Sequence, residues 1–563
     1  MKIKKLLAIV LAMSMILVGC SSEKSETTKD KEENKSGVNS EYINLTMVKP
    51  TTINPVLNKD KSVGYIMNLI YDGLFTIDQN YNVVPQLVKE YSMSSDGKNM
   101  TIKLKDANWH NGNAITSNDI KFTIDLIQDN TDSPYNIFTK NISSVSIINN
   151  KEFTINFKEA YAFSKDTLIF PIVSQSQLSG KSSTEILENS KNLIGNGPYK
   201  IEKMKDREGM TLVVNEDYYE ELPETMKNIK VGIVPNEEDQ VSMVMALESD
   251  IASISLGDLS KFYEDEFNIT NYEGRDYESI IFNYDNEYLK DENFRKAIAH
   301  AIDRKLIKEE AYIGNARLVN FPLNTKSKYY DSDLEALSYD KEKAESYLNM
   351  INLENRDAQE DIDESNEFNI QENQAESSED SKDTDITNKD SETKNTKKEL
   401  ALNEIKDLIN KINLKIIVNK NNEERVKAAN IVSENLNAIG IKSTIEALED
   451  DDMSKALSNK QYDLAFVGWE LSSVPDARDI IKASGYSDAK LTGYMDSIAV
   501  ATSDSQISAI YSNMQKYIRD KVAFISLVIR DEYIVKNIRL EGNSEPNDFD
   551  VYEGISNLTI KSK

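Results

Sequence analysis

The apolar positions of this chain fall into three regimes. At the start, residues 6–18 are apolar almost without interruption behind Lys2, Lys4 and Lys5. A run of about 13 apolar residues is too short to span a bilayer comfortably and has the length of a signal-peptide core. Further on, apolar and polar residues alternate with the period of two that half-buried strands require. Such stretches predict strands over 43–48, 100–104, 153–157, 199–204, 210–215, 229–235, 279–283, 414–418, 441–448 and 462–469, with two closing strands over 523–528 and 532–537. The third regime has helical spacing, as in Val63, Ile66, Met67 and Ile70, or in Phe294, Ala297, Ile298, Ala301 and Ile302. It predicts further helices over 237–247, 340–348, 400–412, 422–439, 453–457 and 506–519, and one through Ile120, Phe122, Ile124 and Ile127 capped by Thr116 to Asp119. Strands and helices that take turns along a chain predict an α/β fold.

Two stretches have no apolar pattern at all. Residues 21–40 are mostly Ser, Glu, Lys, Thr and Asp, and residues 352–398 are Asn, Ser and Gln among acidic residues that far outnumber the basic ones. Neither can bury enough surface to offset its ordering entropy, so the first reads as a tether and the second as a disordered acidic insert. The chain of 563 residues carries a net charge of −29. That balance excludes nucleic acid as a partner, because phosphate binding needs clustered Lys and Arg. After residue 20 no run approaches the roughly 20 apolar residues of a membrane span.

Cys20 is the only cysteine, so no disulfide framework exists. With the preceding Leu17-Val18-Gly19 it resembles a bacterial lipobox. There the chain is cut before the cysteine, whose thiol then carries a diacylglycerol. The expectation is a signal peptide over 1–19, a lipidated tether over 20–40, and attachment to the outer face of the cell membrane through Cys20.

Candidate chemistry is sparse. His110 and His300 lie far apart, and neither has a Cys or second His at ligand spacing, so no metal site is expected. Gly180-Lys181-Ser182 lacks the earlier glycine of a phosphate loop and reads as a surface turn. Glu449 to Asp452 reads as a helix N-terminus favoured by the dipole, without the alternating ligands of a calcium loop. No Gly-x-Ser-x-Gly elbow or His-Glu-x-x-His helix occurs. Neither an enzymatic reaction nor a cofactor is expected.

A series of short motifs changes this picture. In order they are Tyr71-Asp72-Gly73-Leu74-Phe75, Val84-Pro85-Gln86-Leu87-Val88, Trp109-His110-Asn111-Gly112, Gly195-Asn196-Gly197-Pro198-Tyr199, Asn215-Glu216-Asp217-Tyr218-Tyr219, Phe294-Arg295-Lys296-Ala297-Ile298 to Asp303-Arg304, Tyr339 to Ala344, and Tyr462 to Trp469. Their collinear order resembles the bacterial extracellular solute-binding proteins of family 5, the peptide and nickel receptors of ABC importers. The resemblance implies a periplasmic-binding-protein-like type II fold with two hinged lobes and an extra domain in the N-terminal half. Lobe I would comprise 41–52, 165–265 and 530–563, the extra domain 53–164, and lobe II 266–529 with the insert at 352–398.

It also implies a function and a site. The protein would be a monomeric, lipid-anchored receptor that encloses an oligopeptide between its lobes and passes it to an ABC permease. Lys49, Pro50 and Thr51 match the family loop beside the ligand, Tyr135 matches a lining aromatic, and Gly468, Trp469 and Glu470 match the strand end that pairs with peptide backbone. Arg275 and Tyr277 are candidates for a carboxylate or backbone contact. Where many peptide binders grip the ligand's amine with an aspartate three residues past that tryptophan, this chain has Ser472. Glu470 or Asp476 would supply the charge, or the ligand lacks a free amine. Other readings are a receptor for a nickel chelate, haem or a sugar, and a peptide-sensing or adhesion protein outside transport.

Overall fold

The computed structural model describes residues 41–182, 185–186, 194–205, 207–351 and 405–561. The expected signal peptide, the expected tether with Cys20 and the acidic insert expected over 352–398 lie outside the described residues.

In the N-terminal half, Ile43–Val48 pairs in parallel with Ile229–Val234, and the sheet continues through Gly209–Val214 to Tyr199–Lys205 with antiparallel pairing. A second, antiparallel sheet takes the order Val88–Met93, Asn99–Leu104, Glu152–Phe157, Ile142–Asn149. Phe153, Ile155 and Phe157 face inward from it, and the helix Ser117–Asp129, held at its start by the reciprocal Thr116 and Asp119 cap, lies close by. The strand Ile142–Asn149 escapes prediction because only Ile142 and Val145 are buried, leaving no alternating signature. One continuous apolar core serves both sheets. It joins Ile43, Ile102, Phe153 and Tyr199 to Leu540, Val551, Tyr552 and Leu558 near the end of the chain.

The other half is built on a seven-stranded sheet. Its path runs Ile251–Ile254, Ile525–Asn537, Phe267–Phe282, Leu464–Glu470, Asn413–Asn419, Lys442–Leu448, with Ala316–Leu318 added beside Ile525–Asn537. The last three strands are mutually parallel, so each connection must cross over, and the helices Glu423–Ala438 and Asp450–Ser458 provide the crossings. Alternate residues feed two cores. Ile416, Val418, Leu464 and Phe466 enter one, while Ile417, Ala465 and Val467 enter the other. The crossover helix starts at Asn422, whose side chain accepts from Arg425 N at 2.8 Å. Asn422→Ala is expected to cost about 1 kcal/mol of stability, the usual worth of an N-cap, measured as a shift in urea midpoint at constant m.

Two strands are much longer than their apolar patterns predict. Phe267–Phe282 and Ile525–Asn537 pair antiparallel along most of their lengths, from Phe267↔Asn537 to Ile280↔Ile525. The two closing strands expected from the sequence are one, since Arg530 and Asp531 stay in the sheet by pairing with Asp276 and Arg317. Register breaks between Glu273 and Tyr277. There Gly274 lies against the facing backbone, and a Cβ on it would sit 2.8 Å from Arg530 O. The strand Ile525–Asn537 runs through residues 529 and 530 without interruption, and the register of its pairing with Phe267–Phe282 is irregular between Glu273 and Tyr277.

Candidate functional site

The strand Leu464–Glu470 is buried through Val467 and then emerges. It pairs on one side with Phe267–Phe282 as far as Asp276↔Glu470. On the other side its register with Asn413–Asn419 is limited to Ile416↔Leu464 and Ile417↔Ala465. Gly468 to Glu470 thus present a backbone edge that no strand among the described residues covers. Gly468 is a glycine for a steric reason. A Cβ there would lie 2.0 Å from Arg425 Nη2, which reaches over it to the buried Glu278.

Past this edge the chain turns through Leu471 to Asp476 around a cavity of ≈ 180 Å³. Arg275 holds the turn: its Nη1 donates to Leu471 O at 2.8 Å, and Leu471 N donates back to Arg275 O at 2.8 Å. The same guanidinium donates through Nε to Asp548 at 2.6 Å and through Nη2 to Glu470, and it lies 4.3 Å from the centre of the Phe549 ring. Asp548 also accepts from Lys61 Nζ at 2.7 Å. Two cations and two carboxylates are therefore linked in one chain. Burial, with Asp548 nearby, pushes the neighbouring Glu532 up to about 7.

Asp476 closes the turn and is fully engaged. It accepts from Arg478 Nε at 2.8 Å and Nη2 at 2.6 Å, from Arg478 N at 3.2 Å, and from Tyr161 OH at 3.0 Å. The pairing raises the Arg478 guanidinium's affinity for its proton. Ser472 is exposed, and its hydroxyl accepts from Val474 N at 3.1 Å. Glu470 remains accessible, with 60% of its side chain exposed although it pairs with Arg275.

The cavity wall contains Arg275, Trp469, Glu470, Ser472 and Asp476. Tyr277 lies behind that wall, fully buried, its ring 6.2 Å from that of Trp469 and its hydroxyl 2.7 Å from Ser526 Oγ. Gly468 sits beside it. Lys49, Pro50, Thr51 and Tyr135 are not on the wall. The first three follow the strand Ile43–Val48, where Lys49 N donates to Val234 O at 2.9 Å. Tyr135 packs against Phe138 and Phe170. Burial pushes its phenol up to about 12.

Sequence reasoning missed several wall residues. Tyr81 stands at the tip of the hairpin formed by Phe75–Ile77 and Val83–Pro85, with φ of 59°, and donates to Glu273 O. Leu323, Asn324 and Ser327 come from a loop fixed by Thr325 N, which donates to Glu273 at 2.6 Å. Asp479, with its side chain 98% exposed, completes the rim. The unusual backbone of Tyr81 has no signature in its neighbours' apolar spacing. Among the described residues no group of side chains forms a metal-binding cluster, and no helix is long and apolar enough to cross a membrane.

Comparison with known proteins places this geometry. The family model for bacterial extracellular solute-binding proteins, family 5, matches residues 82–490. The oligopeptide-binding protein AppA of Bacillus subtilis is 22% identical over 577 aligned residues, covering 97% of each chain. Among solved structures, the substrate-binding protein CtaP of Listeria monocytogenes is similar at a TM-score of 0.69 with 21% identity, over 92% of this chain and 99% of that one. The structure of B. subtilis AppA in complex with a nonapeptide is similar at a TM-score of 0.56 with 20% identity, over 92% and 99%. The fold is thus the type II periplasmic-binding-protein fold of mixed α/β class. With its motif series, its two long shared strands and a family match across most of its length, the chain belongs to the bacterial extracellular solute-binding proteins of family 5.

Proposed function

We propose that this chain is the receptor of an ABC importer for oligopeptides, held at the outer face of the membrane as a monomer by lipid on Cys20. The observation that carries the reading is the uncovered edge Gly468 to Glu470 beside a cavity walled by Trp469. Such an edge accepts extended peptide through main-chain hydrogen bonds, which are indifferent to side-chain identity. Similarity to AppA, a protein named for oligopeptide binding, supports it. The ligand amine goes to Glu470, because Asp476 has its acceptor positions taken by Arg478 and Tyr161. A cavity of ≈ 180 Å³ is below the several hundred Å³ of ordinary ligand sites. Longer peptides therefore require the lobes to part before they enter, and the register break opposite Ile529 and Asp531 is where the sheet flexes.

Native mass spectrometry of protein purified from peptide-rich medium tests this directly. Co-purified peptides that raise the melting temperature of stripped protein are expected, and the intact mass of detergent-extracted protein should carry a diacylglycerol at Cys20. Trp469→Ala should weaken peptide binding about 30-fold, the size of an aromatic hot spot. Protein that emerges empty and does not respond to peptide pools overturns the peptide reading.

A further inference from the structure

Between the strand Glu152–Phe157 and the short turn Lys165–Thr167 the chain leaves one apolar core for another and then returns. Phe157 belongs to the core of the N-terminal half, and so do Leu168 and Phe170. Phe163, between them, does not. It is fully buried in a core that includes Ile281, Ile417 and Val467 of the seven-stranded sheet, and whose other buried members all come from residue 281 or later. The centre of its ring lies 6.0 Å from that of Tyr329 and 6.4 Å from that of Tyr511. Two residues earlier, Tyr161 OH donates to Asp476 at 3.0 Å, on the wall of the ligand cavity. Phe163 itself is not on that wall.

The segment is stiff. Ser164 Oγ donates to Tyr161 O at 2.8 Å, Asp166 N to Phe163 O at 2.9 Å, and Thr167 Oγ1 to Ser164 O at 2.8 Å. Leu168 then anchors it in the core of the N-terminal half. So short and bonded a turn ties Phe163 to that half, and when the sheet flexes at its register break the ring is drawn out of the facing core into water. We propose that Phe163 is a latch, a positioning residue that sets the closed-to-open ratio of the lobes from outside the ligand cavity. Burial of its ring favours closure whatever the ligand is. Ligand enters only when the lobes part, so capture waits on withdrawal of Phe163, and the fraction of time it spends withdrawn scales the rate of association. The inference rests on the lobes parting and not on the ligand being a peptide.

Two measurements on stripped protein, with no ligand added, test the latch separately from the peptide reading. Phe163→Ala should shift the closed-to-open ratio about 10-fold or more toward open. Small-angle scattering should then give a radius of gyration larger than the parent's by about 1 Å, the scale of a hinge opening. The chain has two tryptophans. Trp109 is 3% exposed in the N-terminal core, so a rise in acrylamide quenching reports on Trp469 in the cleft. Phe163→Ala should raise it, while Phe163→Leu, which keeps an apolar side chain in the pocket, should stay near the parent in both measurements. Tyr161→Phe, which removes only the bond to Asp476, should shift both in the same direction by less. If Phe163→Ala does not unfold cooperatively in urea, Phe163→Val takes its place with the same expectation. Equal radii for the parent and the truncated variant overturn the proposal whatever the quenching does, as does a larger radius that leaves Trp469 as protected as before.

Discussion

Arg425→Met is expected to destabilise the protein by about 3–5 kcal/mol, the cost of stranding a buried carboxylate. The carboxylate is Glu278, 3% exposed. Arg425 contacts it twice, Nε to Oε2 at 2.6 Å and Nη2 to Oε1 at 3.0 Å. Burial pushes Glu278 up even with the guanidinium against it, so without Arg425 it would take up a proton or admit water. Pairing Arg425→Met with Glu278→Gln should return most of the lost stability, because an amide tolerates the site far better than an anion. Gly468→Ala should mimic part of the loss, since its Cβ would displace Arg425 Nη2. Urea titration of the three variants and the double variant measures these terms. A single Arg425→Met change below about 1 kcal/mol would show that Glu278 finds other solvation.

The second large effect concerns pH. Burial pushes Asp72 up to about 7, although the hydroxyls of Tyr219 and Tyr218 favour its charged form. Asp72 is 1% exposed and accepts from Gln86 Nε2 at 2.8 Å, Tyr219 OH at 2.8 Å and Tyr218 OH at 2.9 Å. Its folded pKa exceeds its unfolded value of 3.8, so the folded state binds the proton more tightly. Stability from this group is full below the unfolded value and falls as pH rises toward about 7. A shift of that size corresponds to about 4 kcal/mol across the window. Other groups act at the same time. His110, lowered to about 4 by burial, works in the opposite direction, losing stability as pH falls below 6.5. The clean measurement is therefore the difference between Asp72→Asn and the parent protein from pH 4 to pH 8. The variant should gain relative to the parent as pH rises through that window. A flat difference would mean that the tyrosines solvate the anion completely.

Legibility in the sequence followed burial pattern. Strands with one apolar face, such as Glu152–Phe157, and helices with strong caps, such as Ser117–Asp129, were readable residue by residue. Phe267–Phe282 was only partly readable. Its interior holds the buried charges Glu273 and Glu278, whose partners Thr325 and Arg425 are remote in sequence. Within the candidate site, the family motif pointed to the strand end at Trp469. Tyr81 and the Asn324 loop reach the same wall through long-range hydrogen bonds, which leave no local trace. Charge in the sequence does not reveal pairing: Asp476 reads there as an acid without a partner, and in space it accepts from Arg478 and Tyr161.

The shared core of the N-terminal half has a consequence for how the chain is made. Ile43 and Tyr65 are buried in the same cluster as Val551, Tyr552 and Leu558, and Lys61 is tied to Asp548. Synthesis runs from the other end, so the first domain to leave the ribosome is the last that can be completed. Until the final segment emerges, that shared core lacks part of its cover and the chain is more vulnerable to aggregation. A stop codon just before Leu540 would accordingly damage the beginning of the protein as much as its end.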